Sequence, residues 1–520
     1  MKSIQRAIKN LFGPVGTAMH ANGQLVVFLC ITAIWCYVFS EYLLFHKSFV
    51  FDLFAIDTLS QFYPIEYFWL SNLLNGNFPF WSFQLDLGIN VYALMANANP
   101  FDLVFLLFGP DQFIDAIPMA VYLKYLATGL FFHAFLRKLS VEPIAAIIGS
   151  LLFTFSGHMV INSHWYHYSN YVVFSALFLY FFELWFQDGR WLPLVIAVGL
   201  VALKGELQLF QMACFGSVYV FWRGYNRFGW SAALVRTYLY LGALYLAGMC
   251  LSAFVYLPNV VAMFHSSRVK SAIHDLSFLE KIVNLISLEE WTDVKVLLAR
   301  LFSADMLGSW LSYRGTLNYF EDSTLYVGLL PILLLPLVLF FPKERRLVWL
   351  FPLAAFLAIF FPSIRLALNG FVSGTFKYVS LYGGFFLLFP AILLLSQLFE
   401  GSAAKKSVAL HRALGAVYLA AAVLVLLLYA DGLEALQQQI NMDGAVFRRT
   451  VLFTLVYLTG LFVLFATGRV QALKYCFLLL VIVEVALAAR MTVYRNPGAL
   501  TPFFVARGEN YFDSGTGRAL

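Results

Sequence analysis

Residues 51–100 read FDLFAIDTLSQFYPIEYFWLSNLLNGNFPFWSFQLDLGINVYALMANANP. The stretch follows a long apolar run, is too polar to cross a bilayer, and carries Asp52, Asp57, Glu66 and Asp86. Within it Thr58–Leu74 has helical spacing, with Phe62, Ile65, Phe68, Trp69 and Leu73 on one side, and Asn75–Gly76–Asn77 ends it. A helix with that face lies flat at the interface. Asp57 stands just before it as an N-cap or first-turn acid. A second apolar piece, Phe101–Phe108, is expected to lie flat too. The loop thus reads as the floor of an active site on the outer face of a membrane.

The rest of the chain fits a bilayer. Of 520 residues 61% are hydrophobic and only 12% charged, against roughly a quarter charged in soluble domains. That excess of apolar surface must face lipid, so the fold class is all-α and polytopic. The formal charge of +6 comes from Lys and Arg dispersed among short loops, which excludes a nucleic-acid surface and fits the positive-inside rule. Cys30, Cys36, Cys214, Cys250 and Cys476 fall inside apolar segments without metal-ligand spacing and read as small core residues. The N-terminal residues 1–20 are basic and amphipathic, without a cleavage pattern, and read as an interfacial helix leading into an uncleaved span.

Apolar runs near 24–44, 117–137, 143–157, 168–186, 191–203, 209–222, 237–257, 324–341, 347–362, 375–398, 410–430, 449–466 and 472–490 amount to about thirteen spans. Lys2, Arg6 and Lys9 place the N-terminus in the cytoplasm, and alternation places the C-terminus outside. Arg365, Arg448 and Arg449 are the exceptions in outer loops. The domain reading is one transmembrane unit, 1–498, with outer loops 45–116 and 258–323, and a short outer tail, 499–520. Acids and long loops gather on the outer side, where the work is expected.

Several residues there can carry chemistry. Asp57, with Gln61, could take a proton from an attacking hydroxyl, or Asp57 could only cap its helix. Residues 157–168 hold His158, His164 and His167; the latter two, at i, i+3, suit polar contacts to substrate or headgroup, or a metal. Lys204–Gly205–Glu206–Leu207–Gln208 interrupts two apolar runs, and its charges either line a cavity or pair with one another. Arg268, beside Ser266 and Ser267, suits a lipid phosphate, or is simply solvated. Glu321–Asp322 and Lys377, at the starts of two spans, pose the same choice; Lys377 could neutralise a phosphate or snorkel.

Taken in order, Asp57 to Pro64, Asn75 to Trp81, Gly88 and Asn99–Pro100 resemble the first extracytoplasmic loop of the YfhO family, D-x-x-x-Q-x-x-P, a short helix, then G-x-x-P-x-W. Further matches are Ser156–Gly157, Gly205 to Gln208, Leu257–Pro258 through Arg268, Tyr326 to Pro331, and Phe376–Lys377–Tyr378. The resemblance implies a GT-C-type glycosyltransferase fold and transfer of a sugar from a polyprenyl-phosphate donor to an envelope glycan or glycoprotein acceptor, with inversion. It implies a base at Asp57, donor-phosphate contacts at Arg268 and Lys377, and substrate contacts at Gln61, His164, Glu206, Gln208 and Glu321. Gly205–Glu206–Leu207–Gln208 departs from the Gly-His-Pro-Gln of relatives, and Lys377 stands where relatives often have arginine. Relatives often continue into an outer globular domain, where this sequence ends in a short tail, read either as a compact member or as a truncated chain. No cofactor is implied. A monophosphate leaving group needs no metal, with a divalent cation left open. The expected place is the bacterial cytoplasmic membrane. Alternatives are a flippase or transporter of lipid-linked saccharides, or an envelope-polysaccharide polymerase. The flippase needs charges within spans, where only Lys124 and Glu484 stand, with Glu41 at the end of the first.

Overall fold

The computed structural model describes residues 22–44, 49, 62–77, 81–83, 88–90, 99–165, 167–265, 291–338, 347–370, 374–400, 443–467 and 470–493. Among the described residues the fold is helical apart from one short ribbon. Helix α1 is Gly23–Val38, and α2, Tyr63–Leu74, is the helix expected in the first loop. Next come α3 Phe113–Lys138, α4 Pro143–Thr154, α5 Gly157–Asn162 and α6 Asn170–Asp188. Helices α7 Leu192–Lys204, α8 Glu206–Phe228, α9 Ala232–Leu251 and α10 Ala253–His265 follow. The second long loop holds α11, Trp291–Phe302. Then come α12 Leu329–Val338, α13 Leu350–Phe360, α14 Pro362–Leu368, α15 Val379–Phe399, α16 Gly444–Thr467 and α17 Val470–Thr492.

Helix α4, PIAAIIGSLLFT, is buried on every side, as a helix apolar all round must be. It packs against α3, α15 and α17, and α3 in turn packs against α1 and α6. Close approach needs small residues, because lipid supplies no hydrophobic drive between helices. A Cβ on Gly149 would meet Leu136 at 2.8 Å and Ile392 at 3.1 Å. Helices α9 and α16 lie on the periphery, with only 22% and 28% of their apolar windows buried.

Among the described residues six helical segments are long and apolar enough to cross a membrane, or seven if the bent pair α13–α14 counts as one. The protein is therefore a multi-pass membrane protein, but the reading of about thirteen spans is not reached. Segment 410–430 lies outside the described residues. Helices α1, α7 and α12 are shorter than the roughly 20 residues a perpendicular crossing takes. The 347–362 run ends differently from expectation: at Pro362 the chain bends by 97° into α14 instead of leaving as a loop.

That bend accounts for Arg365. The side chain is 4% exposed, donates through Nη1 to Ile359 O at 2.8 Å and through Nε to Gly374 O, and lies 3.8 Å over the Phe376 ring. It plugs the turn rather than sitting in a solvated loop. Arg449, the second exception, pairs with Asp305 at 2.8 Å. The cysteines also differ from expectation: Cys36, Cys250 and Cys476 are exposed on the bundle surface and Cys30 and Cys214 half-buried. A thiol has nothing to lose by facing lipid.

The helices have two distinct ends. Where α3 stops and α6 stops, Lys138 pairs with Asp188 at 2.7 Å. Nearby, Arg223 pairs with Glu183 at 2.9 Å, and Lys474 with Glu142 at 3.1 Å. Antiparallel α4 and α6 carry residues 155–170 to the opposite end, together with the start of α8.

Candidate functional site

The opposite end is built by the segments singled out in the sequence, and backbone hydrogen bonds hold them together. Ser156 caps α5 through its side chain, and Gly157 N–H donates to Tyr326 O at 2.7 Å. A Cβ on Gly157 would press on Thr324 O and Tyr326, each at 3.2 Å. Phe376 N–H donates to Glu321 O at 2.9 Å, and Thr324 N–H donates to Ser380 Oγ at 3.0 Å. So Ser156–Gly157, Tyr326–Pro331 and Phe376–Tyr378 adjoin in space.

Lys377 is 7% exposed and is held by aromatic faces. Its Nζ lies 3.9 Å from the Trp165 ring centroid, 4.1 Å from Tyr168 and 5.4 Å from Tyr378. Such contacts contribute about 2 kcal/mol each when desolvated. They fix where the ammonium lies. Trp165 stacks on Phe320 at 4.2 Å, and Tyr378 meets Tyr171 at 5.7 Å. Gln208, fully buried near the start of α8, donates to Tyr171 O at 3.3 Å, and its Oε1 has no partner among the described residues. Gly205, at φ 137, supplies the break between α7 and α8 that brings it there.

The histidine turn sits beside this cage. His164 is 1% exposed, and its Nδ1 lies 2.7 Å from Ile161 O, so that nitrogen is the donor. Burial pushes its pKa down to about 3, so the ring is neutral. Its ring meets Trp310 at 4.3 Å and stacks with Phe49 at 5.7 Å. His167 packs on Tyr168 at 4.5 Å and on Phe62 at 3.7 Å. Phe49 and Phe62, which bracket residues 50–61 in sequence, thus touch the same His164–His167 turn. Asp57 and Gln61, between them in sequence, lie outside the described residues, as does Arg268.

The remainder of the first loop is anchored separately. Trp81–Ser82 (β1) pairs antiparallel with Ile89–Asn90 (β2) in the register Trp81↔Asn90, a ribbon the sequence reading did not foresee. Gly88 fits against Trp81, whose Nε1 would be 3.0 Å from an added Cβ. Asn99 Oδ1 accepts from Phe101 N–H at 3.0 Å, its amide bonds Asp102, and Asp102 lies 3.8 Å from the fully buried Lys124. Lys124 thus ties the loop to α3.

Three acids singled out in the sequence have described surroundings. Glu321 contributes its backbone carbonyl, while its neighbour Asp322 is the fully buried acid and accepts from Tyr313 Oη at 2.5 Å. Glu484 braces the fold: it accepts from Tyr457 at 2.6 Å, Leu329 N–H at 2.7 Å and Tyr326 at 2.8 Å. Glu206 is the first residue of α8, and its side chain is outside what is described. Missed altogether was Arg300 of α11. Its signal was in the sequence: it follows Val296 and Leu297 by four and three positions, on the buried face.

The family profile described as Bacterial membrane protein YfhO matches residues 26–499 of the chain. No curated protein and no solved structure matches it.

Proposed function

The chain belongs to the YfhO family of bacterial membrane proteins, and on that premise we propose that it is an inverting glycosyltransferase using a polyprenyl-phosphate sugar. The observation that carries the reading is the return of the first loop to the histidine turn. Phe49 packs on His164 and Phe62 on His167, and His167 adjoins Tyr168 of the Lys377 cage. Asp57 is five residues before Phe62, and five residues of chain reach at most about 18 Å. That tether is short enough for the Asp57 carboxylate and the Lys377 ammonium to serve one site, as this reading requires.

In this reading Lys377, with Arg268, pairs with the donor phosphate and makes it a better leaving group. Asp57 removes the proton of the acceptor hydroxyl. The hydroxyl oxygen forms the new bond to the anomeric carbon as the bond to the phosphate oxygen breaks, which inverts that centre. Gln61, His164, Glu206, Gln208 and Glu321 orient sugar and acceptor. His164, neutral and committed through Nδ1, acts by hydrogen bonding or packing and not as a charge. The acceptor is an envelope glycan or glycoprotein. The site faces outward with the N-terminus in the cytoplasm and about thirteen passes in the full chain.

The test is transfer in vesicles containing purified protein and a radiolabelled polyprenyl-phosphate sugar. Wild type transfers label with release of polyprenyl phosphate, and Asp57→Asn loses about 10²–10⁴ of the rate at unchanged expression. Movement of label across the bilayer without release of polyprenyl phosphate would identify a flippase instead.

A further inference from the structure

Arg300, in α11, is completely buried. One edge of its guanidinium is used: Nη1 donates to Tyr313 Oη and to Tyr319 O, each at 3.2 Å. Its Cζ lies beside two rings, 4.8 Å from the Tyr313 centroid and 5.3 Å from that of Tyr319. Nε and Nη2 have no hydrogen-bond partner among the described residues. Those two N–H groups form the side-on fork that grips a carboxylate or phosphate bidentately. Arginine stays charged throughout the accessible pH range. Buried polar groups of native proteins are otherwise satisfied, so a permanently charged fork at this depth points to an anion.

The surroundings are built to hold the fork still. Tyr313 donates on to Asp322 at 2.5 Å, so the carboxylate acts on the tyrosine and not directly on the guanidinium. A Cβ on Gly315 would collide with both the Tyr313 hydroxyl and the Asp322 carboxylate, so only glycine lets that pair close. Tyr319 and Trp310 both reach Thr492 O at the end of α17, at 3.4 and 3.3 Å. The cluster also joins the site already described: Tyr319 meets Phe320 at 5.4 Å, and Phe320 stacks on Trp165 beneath Lys377. Two buried cations thus stand at the two ends of one run of ring contacts.

We infer that the Nε/Nη2 edge of Arg300 is a second oxyanion subsite, distinct from Lys377, for a phosphoryl or carboxylate group. That it receives an anionic group of the acceptor rests on the glycosyltransferase reading; that it binds an oxyanion does not.

The test uses the purified full chain in detergent, with inorganic phosphate titrated against chloride at constant ionic strength and the thermal midpoint as readout. The wild-type midpoint rises to a plateau. Arg300→Lys retains the charge and the ring contacts but lacks the fork, and its apparent phosphate affinity falls at least about tenfold. Lys138→Met, at the opposite end of the bundle, keeps the wild-type rise. An Arg300→Lys titration matching wild type, or loss of the rise in Lys138→Met with Arg300→Lys unaffected, overturns the assignment. Should Arg300→Lys not fold, wild-type protein is treated with an arginine-directed dicarbonyl reagent and mapped by mass spectrometry. Phosphate protects Arg300, and modification unchanged by phosphate overturns the subsite. Acetate in place of phosphate separates carboxylate from phosphoryl preference; a featureless, unsaturating response to every salt counts against both. Protein that binds phosphate at Arg300 but transfers no sugar keeps the subsite and removes only the enzyme reading.

Discussion

At Lys377 and His164 the environment assigns roles that residue type alone does not. On the glycosyltransferase reading the Lys377 ammonium, set against three ring faces, meets the phosphate in the bound donor and in the departing group, so replacing it should weaken both donor binding and chemistry. Lys377→Met is expected to raise KM for the lipid donor about tenfold and to lower kcat by a similar factor, and Lys377→Arg to recover much of the loss. Steady-state kinetics at varied donor concentration decides; an unchanged KM would remove the residue from the donor site. His164 makes a pH prediction. Its folded pKa of about 3 lies below the ordinary value of about 6.5. The unfolded chain therefore binds a proton between those values that the folded protein does not. Stability from this group is complete above about pH 6.5 and is lost as pH falls toward 3, by up to about 1.4 kcal/mol per pH unit. His164→Gln should flatten the acid limb of a thermal-midpoint profile, and an unaltered slope would contradict the neutral, buried ring.

Among the elements, α12 shows what the sequence revealed and what it hid. Tyr326–Val327–Gly328 was legible as a motif, but its purpose was not. Gly328 has φ 86, and a Cβ there would strike Leu152, so the chain turns into α12 only with glycine. Glu484, from α17, holds that turn by taking the Leu329 N–H and two tyrosine hydroxyls. Hydropathy marked Glu484 as an anomalous charge within a span, because pattern reading cannot see partners 155 and 158 residues away. Glu484→Ala strands three buried donors and is expected to cost about 3 kcal/mol or more, read as a lower unfolding midpoint in detergent. Glu484→Gln, which retains an acceptor oxygen, should lose less. Helix α2 was the opposite case: Ile65, Phe68, Trp69 and Leu73 pack as one cluster, as their spacing required. The β1–β2 ribbon escaped notice since strands of two residues have no periodicity to read.

For the whole molecule, composition made a membrane bundle legible, and motif order made the family legible. The number of crossings was not. Apolar runs cannot tell a full span from a short helix or from the 97° bend at Pro362. Nor could any local pattern show that Ser156–Gly157, Tyr326–Pro331 and Phe376–Tyr378 adjoin, since the hydrogen bonds that join them link residues far apart in sequence, 56 positions in the case of Thr324 and Ser380 and further for Gly157 and Tyr326. The central claim is that the loop bearing Asp57 leaves and rejoins the His164–His167 turn. Paired cysteines test it most directly, Phe49→Cys with His164→Cys and Phe62→Cys with His167→Cys, in a protein whose five native cysteines have been replaced. The ring centroids of these pairs are 5.7 and 3.7 Å apart, so both pairs should join with a short bis-thiol reagent. Cysteines that each react singly yet fail to join in either pair would contradict it.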